Sequence, residues 1–179
     1  MKILNILVTI LLFASSITIA QSTKQDSIWS PMKIFVGEWT GESAGDPGKG
    51  TYERKYQFIF NKKYIEIKNK STWQPTPNNA KGEVHKDIGY ISYDKSRKLF
   101  VLRQFHIEGF VNQYKLDSIS PNGKTIVFIS ESIENIPNGW RAKETYHISN
   151  DNEFSETFEL AAPTKQFELY SKALLKRKN

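Results

Sequence analysis

From Gly37 to the C-terminus about ten runs of alternating apolar and polar residues succeed one another, with short turns between them and no intervening helical periodicity. Alternate side chains on a strand point to opposite faces, so each run offers one face to a core and one to water. Consecutive hairpins build a sheet with two open edges, and closing that sheet on itself removes both. The pattern therefore predicts an all-β chain: a single antiparallel up-and-down β-barrel of about ten strands, with a short N-terminal helical turn. The first strand opens with Gly37-Glu38-Trp39-Thr40-Gly41, which plants a large aromatic where the chain enters the sheet. A barrel of this strand number has an interior able to hold side chains or one small ligand.

The runs are expected at Thr51–Phe60, Tyr64–Trp73, Glu83–Tyr93, Lys98–Ile107, Phe110–Ser118, Lys124–Glu134, Trp140–Ile148, Glu153–Leu160 and Gln166–Lys176. Asp94-Lys95-Ser96-Arg97 and Pro121-Asn122-Gly123 read as turns, and Ser43–Gly50 as a loop. Ahead of the barrel, Lys2 precedes the apolar run Ile3–Phe13, and Thr18 and Ala20 stand at the −3 and −1 positions of a cleavage site. Residues 1–20 are thus expected to be a cleaved signal peptide, residues 21–30 a flexible leader and residues 31–179 one domain. The address that follows is secreted or periplasmic, with no stable membrane insertion after cleavage.

Composition narrows the chemistry. The chain has no cysteine, which excludes disulfides, thiolate catalysis and a lipid-anchored cysteine. Of its 25 basic residues only Lys2 lies in the signal segment, leaving 24 against 19 acidic ones. The basic residues are scattered singly along strands, apart from the run Lys176-Arg177-Lys178 at the C-terminal tip, as on a solvated surface, so no nucleic-acid partner is expected. Histidine occurs three times, at His85, His106 and His147. His85 and Asp87 share a strand face, but two residues do not make a metal site, and none is expected from spacing. No nucleophile elbow or phosphate-cradling loop is present.

The interior polar residues depend on one turn. With Glu108-Gly109 as a two-residue hairpin loop, Arg103 faces Tyr114 and Phe105 faces Asn112, and these side chains point inward. Arg103 would then need Glu144, Glu156 or an anionic ligand as partner. A one-residue change in the turn brings Gln104 and His106 inside instead.

Four segments carry a resemblance. Gly37–Gly41 with Gly45 and Gly50-Thr51-Tyr52, then Lys70-Ser71-Thr72-Trp73, then Val84-His85-Lys86-Asp87-Ile88-Gly89-Tyr90, and finally Ala173-Leu174-Leu175-Lys176-Arg177 are similar, in order, to the nitrobindin-like haem-binding β-barrels of the calycin group. That resemblance implies a barrel whose mouth accepts haem b, held by a histidine of the last strand, with nitric oxide and peroxynitrite-isomerising chemistry at the iron. In this chain Tyr170 stands where that histidine is expected, and no histidine follows His147. Alternation also sets Tyr170 opposite the apolar face of Phe167, Leu169, Ser171 and Ala173. The resemblance makes His85 a pocket-lining residue, with Trp73 and Trp140 as walls and Trp39 closing the base under Arg177. The expected function is binding of a small hydrophobic or amphipathic ligand by a monomer or homodimer, without catalysis. Arg103, Tyr114, Asn112 and His85 would orient the ligand. The alternatives are a haem protein with iron on Tyr170, or on His106 in the other register, and an envelope protein acting through its surface.

Overall fold

The computed structural model describes residues 26–45, 48–77 and 80–178. The signal segment and the first half of the expected leader lie outside them. The end of that leader is structured: residues 26–28 are helical, and Trp29 is buried. The Trp29 carbonyl accepts the N–H groups of Met32 and Lys33, at the start of a 3₁₀ helix, Ser30–Phe35. Trp29, Met32 and Phe35 recur every three residues, the repeat that puts side chains on one face of a 3₁₀ turn, and all three are buried.

From Val36 onward the chain is ten antiparallel strands: β1 (Gly37–Gly45), β2 (Gly50–Ile59), β3 (Tyr64–Trp73), β4 (Glu83–Asp94), β5 (Leu99–His106), β6 (Val111–Ile119), β7 (Thr125–Glu134), β8 (Arg141–Asn150), β9 (Glu153–Ala161) and β10 (Glu168–Arg177). Each pairs with its sequence neighbours, and β10 pairs with β1 to close the barrel. The strand boundaries agree with the sequence pattern within a residue or two, except that β1 continues to Gly45 instead of giving way to a loop at Ser43. That extension is the closing seam: Ser43, Ala44 and Gly45 pair with Ala173, Lys172 and Ser171.

The opening signature is explained by this seam. A Cβ on Gly41 would stand 2.1 Å from the Leu174 carbonyl oxygen, so only glycine lets β1 and β10 approach there. Gly37, at φ +139°, leaves room for Arg177, whose guanidinium lies 4.2 Å from the Trp39 ring centre. Arg177 Nη1 donates to the Val36 carbonyl at 2.8 Å and Nε to the Asp151 carbonyl at 3.0 Å. Trp39 is 1% exposed and meets Phe154 edge-on at 4.7 Å. The expected closure of the base by Trp39 and Arg177 is what the barrel contains.

Inside, the polarity is layered. Ile65, Ile67, Ile126, Phe128, Phe154 and Leu175 fill the base. Beside and above them lies a polar belt of Arg54, Tyr56, Gln104, Tyr114, Glu144, Tyr146 and Glu156, all buried.

Candidate functional site

The connections after β1, β3, β5, β7 and β9 share the end of the barrel away from Trp39, and this end is its mouth. Two of them build the site. β3 and β4 pair Ser71 with His85 and Asn69 with Asp87, while β4 and β5 pair Asp87 with His106. The β5–β6 hairpin then folds Glu108 back over β4.

That hairpin corrects the sequence reading. Its loop is Ile107-Glu108-Gly109, three residues rather than two, closed by the His106 N–H on the Phe110 carbonyl at 3.1 Å. Gly109 takes φ +92°, the positive value such a loop requires near its end. The odd loop length changes the parity of β5 against β6: Arg103 pairs with Gln113, Gln104 with Asn112 and Leu102 with Tyr114. Arg103 is consequently outside the barrel, with Nε donating to Gln113 Oε1 at 3.0 Å and Nη1 to Ser92 Oγ at 3.4 Å. Phe105 is exposed beside it. Gln104, His106, Asn112 and Tyr114 are the residues that face inward.

Among the described residues the buried cation inside is Arg54, whose guanidinium grips the Glu156 carboxylate across the barrel through Nη1 and Nη2, the latter at 2.6 Å. Its signal was readable in the alternation, since Arg54 lies between Tyr52 and Tyr56 on the aromatic face of β2. Glu144 lies near this pair without a cation of its own. Burial, then the Glu156 charge, pushes its pKa well above the ordinary carboxyl value, despite the opposing pull of Arg54 and a hydrogen bond from Gln104.

At the mouth, His85 Nε2 lies 3.2 Å from His106 Nδ1, and His85 Nδ1 lies 2.8 Å from Glu108 Oε1. Asp87 Oδ2 is 3.5 Å from His85 Nε2, while Asp87 Oδ1 accepts from Asn69 Nδ2 at 2.8 Å. The Asn112 amide reaches His106 Nε2 at 3.2 Å and the Tyr114 hydroxyl at 2.9 Å. Burial alone would pull His85 down, but hydrogen bonds to Asp87 and Glu108 outweigh it and hold its pKa above the ordinary histidine value. His106 behaves oppositely: burial lowers it to about 4, against the attraction of Asp87. Aromatic faces frame the pair. Phe110 stacks on His106 at 4.0 Å, and the Trp73 ring lies 6.3 Å from His85.

Tyr170 is on the opposite wall, since β10 and β5 stand five strands apart in the ring. Simple alternation would turn it outward. A β-bulge between Leu169 and Ser171 leaves Tyr170 as the extra residue, and its ring meets Phe158 at 5.7 Å. Phe158 pairs with buried Ser171, so the bulge sets Tyr170, 38% exposed, against Phe158 at this end of the barrel. Trp140 stands just before β8, 37% exposed, on the rim rather than in a wall.

The structure is a closed ten-stranded barrel with a polar interior and a mouth framed by aromatic rings. Residues 29–177 match the THAP4-like, heme-binding beta-barrel domain, and the chain belongs to that family. The nitrobindin-like resemblance of the four sequence segments is thereby borne out. The fold is similar to the crystal structure of Rv2717c from M. tuberculosis, 18% identical, with a TM-score of 0.64 over 85% of this chain and 98% of that one. A de novo designed fluorescence-activating β-barrel is 13% identical over 82% of this chain and 95% of its own, with a TM-score of 0.41. No curated protein matches the chain.

Proposed function

We propose that the protein is exported and binds a flat amphipathic organic ligand across its mouth, with haem b as the ligand its family indicates. The observation that carries this reading is the meeting of imidazole groups with half-buried aromatic faces at one end of the barrel. Apolar faces give such a ligand contact area, and a few polar groups fix its orientation.

The residues present fit a haem in their donor chemistry, although the last strand lacks a histidine. His106 offers an imidazole on the β5 wall, and Tyr170 offers a phenol on the opposite wall, a group that holds ferric haem in catalase-type sites. Bound haem would supply an iron centre for nitric oxide or peroxynitrite. The chain's own contribution is binding and orientation: Trp73 and Phe110 face the ligand, and Asn112 steadies His106 from below. His85, held by Glu108 and Asp87, presents a polar edge. Binding needs no further catalytic group.

The test is a haemin titration followed in the Soret region, on the wild type, Tyr170→Phe and His106→Gln. A saturable Soret band that either substitution weakens supports the reading; a linear, unsaturable response in the wild type overturns it. Export is checked by the mass of the protein recovered outside the cytoplasm, which should begin at Gln21.

A further inference from the structure

We propose that His85 and His106, flanked by the carboxylates of Asp87 and Glu108, bind a divalent transition-metal ion of the zinc class without any haem. Donor atoms of His85, His106 and Glu108 gather within 4.8 Å of one another, with His106 beside Nε2 of the His85 ring and Glu108 beside its Nδ1. The 3.2 Å between His85 Nε2 and His106 Nδ1 matches the separation set by one ion. Two imidazole nitrogens bound tetrahedrally at about 2.0 Å stand about 3.3 Å apart. Asp87 Oδ2 lies 3.5 Å from His85 Nε2.

The surroundings are those a metal-bound imidazole needs. An imidazole that binds through one nitrogen carries a proton on the other, and that N–H needs a fixed acceptor. Glu108 Oε1 provides it for His85 Nδ1 at 2.8 Å. For His106 the group beside Nε2 is the Asn112 amide, whose Oδ1 is buried with no partner. A half-turn of that amide sets the oxygen against Nε2–H and also lets it accept the Tyr114 hydroxyl, with the amide NH2 then taking the buried place where Oδ1 has no partner. Asn69 fixes the Asp87 carboxylate in the same manner, at 2.8 Å. Two imidazoles with carboxylates select zinc, nickel, copper or cobalt over magnesium and calcium, which prefer all-oxygen sites. Both histidines are half-buried at the mouth, so an ion has access from solvent.

The site draws on β3, β4, β5 and the hairpin after it, and needs neither haem nor Tyr170. Zinc chloride titrated calorimetrically into the haem-free protein should bind saturably at one ion per chain. Cobalt(II) should develop the visible bands of a tetrahedral nitrogen- and oxygen-bound ion. His85→Gln and His106→Gln should each weaken zinc at least tenfold, while His147→Gln and Tyr170→Phe leave it unchanged. The cobalt spectrum of the wild type keeps the test decisive if a histidine variant fails to fold. Absence of saturable binding in the wild type, or binding unchanged in both histidine variants, overturns the inference. Saturable zinc binding beside a failed haemin titration removes the haem reading and leaves this one standing; the reverse result removes this one alone.

Discussion

Replacing Glu144 by glutamine should make the protein more stable, by an amount that grows with pH. The Glu144 side chain is buried in the polar belt, where Arg54 is already committed to Glu156. One Glu144 oxygen has no partner, and burial together with the Glu156 charge holds its pKa well above the usual carboxyl value. The folded protein therefore keeps the Glu144 proton at pH values where the unfolded chain has lost it. Where the native state binds the extra proton, stability falls as pH rises, beginning at the unfolded carboxyl pKa and ending at the folded one. The slope reaches about 1.4 kcal/mol per pH unit for one group. Glutamine has the shape of the neutral acid and no such slope. As pH rises above the unfolded carboxyl range the Glu144→Gln variant should thus gain on the wild type, by up to about 1.4 kcal/mol for each pH unit over which the folded protein keeps the proton. Urea unfolding at pH 5, 6 and 7 and fixed ionic strength, read by tryptophan fluorescence, measures the difference, and groups titrating alike in both proteins cancel. A difference independent of pH would refute the reasoning, because it would mean that Glu144 is ionised in the folded state.

The Arg54→Met change should cost about 3 to 5 kcal/mol in the same unfolding assay, because it strands the Glu156 charge; the double variant Arg54→Met/Glu156→Leu should recover most of the loss. A double variant no more stable than the single one would refute that account. Gly41→Ala should destabilise the barrel at its β1–β10 seam, since the added carbon has only the Leu174 backbone to meet, and a lowered unfolding midpoint would register it. Arg177→Ala should lower stability by about 1 to 2 kcal/mol through the lost contact on Trp39, with a shift in tryptophan emission as that ring becomes wetted.

What the sequence determined by itself is the part that depends on local periodicity. Strand positions follow from alternation, and turns from residues such as Asn122-Gly123. Barrel closure follows from the lack of helical periodicity after Gly37 that could cover a sheet edge. The fixing of Trp39 by Arg177 also follows from the two ends of one pattern, which the β1–β10 pairing brings together. Tertiary structure decided what depends on parity and on contacts across the barrel. One extra loop residue at Ile107–Gly109 exchanges Arg103 for Gln104 and His106, because a slip of one residue reverses every side chain that follows. One bulged residue takes Tyr170 out of plain alternation and sets its ring against Phe158. Arg54 and Glu156 are 102 residues apart and meet only because the barrel is closed. His85 and Glu108 lie 23 residues apart and meet only through the fold of the hairpin over β4. Periodicity tells which face a side chain takes within one strand, whereas register and closure tell which side chains share a space.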